Sequence, residues 1–183
     1  VDYDWLSDHA GDSFCALSPI GSSNATLSKA NLNTTGSGTQ RALGTMTMSS
    51  GSWWFEFAAT TIGTVFAVGI FKEGGSITSG AVLVNEYVYR SNGQKGNNGA
   101  YTAYGASYTT SDVIGMHYNA DTGALEFFKQ TNGTGSFVSQ GVAYTGLSGT
   151  YFPEIVGFVD TNAGWINAGQ RPFNNTSLPS GAL

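Results

Sequence analysis

Residues 112–129, DVIGMHYNADTGALEFFK, constrain the fold of this chain more than any other segment. Residues 113–118 are β-branched, aromatic and apolar, which suits a pleated surface. Residues 119–123 (NADTG) bond readily to their own backbone or tolerate left-handed conformation, and so read as a tight turn. Leu125, Phe127 and Lys129 then alternate with Glu126, Phe128 and Gln130, the period of a half-buried strand. The segment predicts a hairpin and carries no obvious chemistry.

Strand-like segments recur along the rest of the chain. They fall at 24–32, 39–48, 52–60, 65–71, 82–89, 101–108, 137–144, 151–159 and 163–168. In SWWFEFAAT (52–60), Trp53, Phe55 and Phe57 occupy one face and Trp54, Glu56 and Ala58 the other. VFAVGIF (65–71) is continuously apolar, as expected at the centre of a sheet. Turn signals such as NTTGSG, SNGQKGNNG and NGTG separate these runs every 8–12 residues, the spacing of an all-β sandwich or barrel. Composition agrees: Gly is 26 of 183 residues and charged residues are only 10%, which disfavours helix and suits strands with many turns. The expected fold is all-β, two stacked antiparallel sheets in one domain at 24–183, preceded by an arm at 1–23.

That arm holds Asp2, Asp4, Asp8 and Asp12, four of the chain's seven Asp, around Trp5. It reads as a segment that docks through Trp5 with its acids, Asp4 and Asp8 among them, solvated and facing a neighbouring subunit. The net charge is -5 and no basic run exists, so nucleic-acid binding is disfavoured. Attraction to anionic membranes is disfavoured likewise, and no apolar run has the length of a membrane span. Cys15 is the only cysteine and excludes an intrachain disulfide. The chain begins at Val1 without signal-like regions, which reads as processing or as a piece of a longer polypeptide.

Taken in order, several pieces resemble the SPRY domain, a concanavalin-like β-sandwich of jelly-roll type. They are WWFEF (53–57), FAVGI (66–70), YVYRSNGQKGNNG (87–99), the hairpin with its closing QTNG (112–133), YFPEIVGF (151–158) and INAGQRPF (166–173). Together they span 52–173. The resemblance implies a non-catalytic binding module whose loops at one edge read a peptide or partner protein. The Gly-, Ser- and Asn-rich texture is similar to versions in bacteriophage and other viral structural proteins. It implies a virion surface, decoration or fibre protein, with other virion proteins, copies of itself, or a host surface glycan or protein as partners. The alternatives are a carbohydrate- or peptide-binding domain of an extracellular or cell-surface protein and, remotely, a glycan hydrolase. Two departures stand out: His117 where the family more often has a small or apolar residue, and a loop at 72–80 without a ligand-reading signature.

Catalytic chemistry finds little support. No G-x-S-x-G elbow exists, and His117 and Asp112, five apart on a strand, point to opposite faces. His117 reads as a semi-exposed strand residue, opposite the face of Ile114, Met116 and Tyr118. One Cys and two distant His make a zinc site improbable, and the arm's Asp spacing misses the calcium-loop pattern. No metal or other cofactor is expected. Glu56, Glu86, Glu126 and Glu154 show no spacing that pairs two carboxyls on one cleft, so each reads as an outward strand position. N-x-S/T sequons begin at Asn24, Asn33, Asn132, Asn174 and Asn175, but chance supplies them in so Asn-, Ser- and Thr-rich a chain. The candidate partner face is Tyr87, Tyr89, Arg90, Lys95, Tyr101 and Tyr104, with Tyr108 nearby, since Tyr and Arg dominate interface hot spots. The competing reading packs these tyrosines on a half-buried sheet with wet hydroxyls.

Overall fold

The computed structural model describes residues 14–78 and 80–182. Their strands are β1 (Leu17–Ser23), β2 (Thr26–Ser28), β3 (Asn33–Gly36), β4 (Gln40–Gly44), β5 (Ser52–Thr61), β6 (Val65–Lys72) and β7 (Glu86–Arg90). They continue with β8 (Gln94–Asn97), β9 (Ala100–Ala103), β10 (Val113–Asn119), β11 (Ala124–Gln130), β12 (Val138–Tyr144), β13 (Tyr151–Phe158) and β14 (Asn162–Asn167). A 3-10 turn at Thr131–Gly133 is the one helical element among the described residues. Two seven-stranded sheets result, ordered β1-β4-β13-β6-β7-β8-β9 (sheet A) and β12-β11-β10-β5-β14-β3-β2 (sheet B). Neighbouring strands pair antiparallel throughout.

The hairpin forms in the register its alternation predicts, from Val113 opposite Gln130 to Asn119 opposite Ala124. Its turn closes as the sequence suggests: the Asn119 side-chain oxygen accepts the amides of Asp121 (3.1 Å) and Thr122 (2.9 Å), and Gly123 takes a φ of +67°. Phe55 and Phe57 of β5, Met116 and Tyr118 of β10, and Leu125 and Phe127 of β11 pack with Phe66, Val68 and Ile70 of β6, Tyr89 of β7 and Ile155 of β13. Each such large side chain, fully buried, contributes about 1.5–3 kcal/mol of transfer free energy.

Neither sheet has a bare outer face. Residues 73–78 and 80–85 cross sheet A, and Val82 completes a second apolar cluster with Val65, Ala67, Val88, Val156 and Phe158. Arg41, Glu86 and Glu154 lie on that same side and are wholly buried. On sheet B, Trp54 packs against Phe128 (5.2 Å between ring centroids) and edge-on against Phe137 (5.5 Å). Gly115 makes room for it: a Cβ there would meet the indole at 2.3 Å. The C-terminal segment runs beside this aromatic group. Glu56, also wholly buried, accepts the amides of Asn174 (2.9 Å) and Asn175 (2.8 Å) and so holds that segment down.

Several sequence expectations are corrected. Glu56, Glu86 and Glu154 do point away from the intersheet core, but all three are buried because both outer faces are roofed. The run at 82–89 is strand only from Glu86; Val82 and its neighbours belong to the roof, whose apolar side chains imitate a strand. The run at 24–32 breaks after β2 because Lys29, Ala30 and Asn31 all take positive φ. The run at 39–48 is strand only to Gly44, with Met48 bridging to Tyr151. Leu17, fully buried and paired with Gly44, starts the sandwich inside the segment expected to be the arm. Trp5, Asp4 and Asp8 lie outside the described residues.

Candidate functional site

The candidate partner face is largely taken up by the sandwich itself. Tyr89 is fully buried and donates its hydroxyl to Ala106 O, while its ring packs against Tyr104, Tyr108 and Phe127. Burial pushes its phenol well above the ordinary range. Tyr104 donates to Gly141 O, and burial raises its pKa to about 12. Tyr87 stacks edge-on with Tyr144 at 5.2 Å and Tyr151 at 6.0 Å. Lys95 donates to Ala143 O at 2.6 Å, tying β8 to β12 across the two sheets. Tyr101 is what remains at the surface: the half-buried Arg90 guanidinium lies 4.0 Å from its ring centre and donates to Gln94 Oε1 at 2.7 Å. The structure therefore gathers most of these residues as internal packing, with Tyr101 37% exposed.

A different constellation forms at one end of the sandwich. The β5–β6 turn, the β7–β8 turn and the segment before β10 border a shallow, open depression of about 380 Å³, lined by Ile62, Thr64, Asn92, Tyr108, Thr109 and Thr110. Buried Tyr108 belongs to its wall, with its hydroxyl 3.0 Å from Phe66 O and 3.1 Å from Tyr89 O. The β13–β14 turn adjoins this depression, because Thr64 donates to the Asp160 carboxylate. Asn162, wholly buried, fixes that turn: its amide donates to Asp160 O (2.8 Å) and its side-chain oxygen accepts Gly63 N (3.1 Å). Gln40 Nε2 donates to Asn162 O at 2.8 Å. At the tip stands Val159, 64% exposed and at φ +69°. A β-branched residue in the left-handed region is strained by about 1–3 kcal/mol. Strain and apolar exposure held together by a buried amide clamp mark a presented residue. The sequence predicts a strand running through Val159, at 151–159, and no pattern in it announces a positive φ there; β13 ends at Phe158.

The chemistry-bearing residues do not assemble a reaction centre. Among the described residues no group of three or more His, Cys, Asp or Glu is placed to hold a metal ion. His117 is half-buried on the outer face of sheet B, as expected, with Nε2 2.7 Å from Ser52 Oγ. Burial lowers its pKa, and nearby Glu126 raises it in part. Glu126, however, accepts Ser139 Oγ. Asp112 serves the backbone: it accepts the amides of Thr109 (2.8 Å) and Asn132 (3.0 Å) and pairs with Lys129 (3.2 Å). Burial opposes its ionisation, yet those amides and the ammonium hold its pKa below the usual value. The four glutamates divide between opposite outer faces, and Glu86 is committed to a buried ion pair with Arg41.

No family model and no curated protein matches the chain. Solved structures do. The SPRY domain of human HERC1 superposes with a TM-score of 0.72 at 17% identity, over 86% of this chain and all of that one. A structure titled human SPRY domain gives 0.63 at 16% identity, over 83% and 99%. The TRIM65 PSpry domain gives 0.62 at 11% identity, over 85% and 92%. Two seven-stranded antiparallel sheets, superposing on these domains over 83–86% of the chain, give this chain the SPRY fold.

Proposed function

We propose that this chain is a non-catalytic protein-binding module that engages its partner through the loop end around Val159, and that it works on a virion surface or fibre. The observation that carries the reading is Val159 itself: a strained, exposed, β-branched tip beside a shallow, mainly apolar depression, on a turn that a buried asparagine holds in place. Preorganised tips lose little conformational freedom on binding, which favours affinity. The polar, charge-poor composition supports the virion setting, as does the similarity in texture to viral structural proteins. The partners in this reading are other virion proteins, copies of this chain, or a host surface protein. The test is a photo-crosslinking amino acid placed at position 159, with position 121 as control, incubated with disassembled source particles and host surface extract. One dominant adduct at 159, absent at 121, is expected. Equal adduct yields at the two positions would sink the reading.

A second reading, carbohydrate binding on a cell surface, is favoured by a separate cleft of about 370 Å³. Phe128 and Phe137 line it with Ser136, Asn174, Asn175 and Ser177, a mix of aromatic rings, amides and hydroxyls. A glycan array decides it: no hits removes this reading.

A further inference from the structure

We infer that a third cleft, on the far side of sheet B from β12, reads the carboxylates of an acidic peptide belonging to a partner protein. This site lies apart from the loop end and does not depend on it. The chain has seven basic side chains. Arg41, Arg90, Lys95 and Lys129 each donate to an acceptor within the fold, and Lys72 sits 6.0 Å from the Tyr151 ring centre. Lys29 and Arg171 have no acceptor among the described residues, and both line this one cleft of about 370 Å³. Asn33, Thr60 and Trp165 join them, and among the described residues no carboxylate lines it.

The geometry is built for a planar anion. The Arg171 guanidinium lies 4.0 Å from the Trp165 ring centre. Stacking of this kind fixes the guanidinium plane and leaves its edge N–H groups free for a bidentate carboxylate. Trp165 is fixed in turn by pairing with Asn33 on β3 and Ala58 on β5. Lys29 lines the same cleft from the left-handed run Lys29–Ala30–Asn31, whose ends are tied by Leu17 N to Asn31 O (2.8 Å) and Leu32 N to Lys29 O (3.2 Å). A cationic cleft on a protein of net charge -5 is a local reversal of field, which selects acidic segments that the rest of the surface repels.

The probe is a fluorescein-labelled hexaglutamate peptide, with hexaglutamine as control, titrated with the full chain by fluorescence anisotropy. Hexaglutamate alone binds, and binding weakens as salt rises from about 20 to about 200 mM. The double substitution Lys29→Gln and Arg171→Gln weakens it by about tenfold or more, and both side chains are exposed, so the variant keeps its fold. Val159→Asp leaves it unchanged, which separates this site from the loop end. Absence of binding, equal binding of both peptides, or binding unmoved by the double substitution overturns the site. A phosphoserine peptide of equal length binding tenfold tighter overturns the carboxylate assignment. Binding that emerges only after Asp2, Asp4, Asp8 and Asp12 are changed to Asn overturns the partner, since the chain's own acids would then be the competing ligand.

Discussion

Replacing Glu154 by Met stabilises the protein at neutral pH, by an amount that grows as the pH rises. Glu154 is wholly buried, and neither of its carboxyl oxygens has a hydrogen-bond partner. Arg41, the cation of that layer, is committed to Glu86 and to the carbonyls of Thr78 (2.6 Å) and Ala81 (2.9 Å). Burial pushes the Glu154 pKa well up, neighbouring Glu86 pushes it further, and Arg41 offsets only part of this. The unfolded chain loses that proton near pH ~4.3, whereas the folded protein still holds it. More protons bound in the folded state means that stability falls with rising pH. Its contribution is fully present below about pH 4.3 and declines by about 1.4 kcal/mol per pH unit until Glu154 ionises in the fold. The unpartnered carboxyl adds about 1–3 kcal/mol of cost at any pH. Met has a similar length and leaves no polar atom to satisfy. Urea unfolding at pH 5, 6 and 7 reads both effects. The Met variant should be the more stable at pH 7, with a gap widening by about 1.4 kcal/mol per unit. A gap that stays constant, or a variant less stable at every pH, would refute the reasoning by showing an ionised Glu154 held by Arg41.

Two further outcomes follow from the outer face of sheet B. Glu56→Ala removes the acceptor of the Asn174 and Asn175 amides, a loss of about 1–3 kcal/mol for each group left unmet; hydrogen exchange should speed at those two amides far more than at β10. His117 should titrate below its ordinary 6.5 by NMR, and Glu126→Gln should lower the midpoint further, since Glu126 is the group that raises it. Its depressed folded pKa means that the stability it contributes is present above about pH 6.5 and is lost as pH falls through the folded value.

How much of this was legible in the sequence depends on which side of a strand a residue faces. Inward positions announced themselves: Phe55, Phe57, Met116 and Phe127 follow the period of two and all reach the core. The hairpin turn was legible because Asn119 and Gly123 act locally. Outward positions misled, because alternation cannot tell solvent from a roof. Glu86 and Glu154 read as outward strand positions, yet they are buried under the segment that carries Val82, and only the apolar run around Val82 hinted at the cover. For the tyrosines the sequence left a partner face and internal packing both open, because a residue like Tyr89, which is buried, offers the same letter to a partner and to a core. Arg171 and Lys29 meet across 142 positions of sequence, and nothing local foretells that meeting.

The strand order has a consequence for how such a chain is made. β13 lies between β4 and β6 in one sheet, and β14 lies between β5 and β3 in the other. The last two strands in chain order among the described residues are thus inner strands of both sheets, and the β1–β4 and β2–β3 pairs join the other strands only through them. During vectorial synthesis the β1–β4 and β2–β3 pairs can form early, but each stays apart from the rest of its sheet until residues 151–167 have emerged, so the pairings that close both sheets are distant ones, which are slow to form. A chain truncated before Tyr151 would not lose an edge; it would split both sheets down the middle.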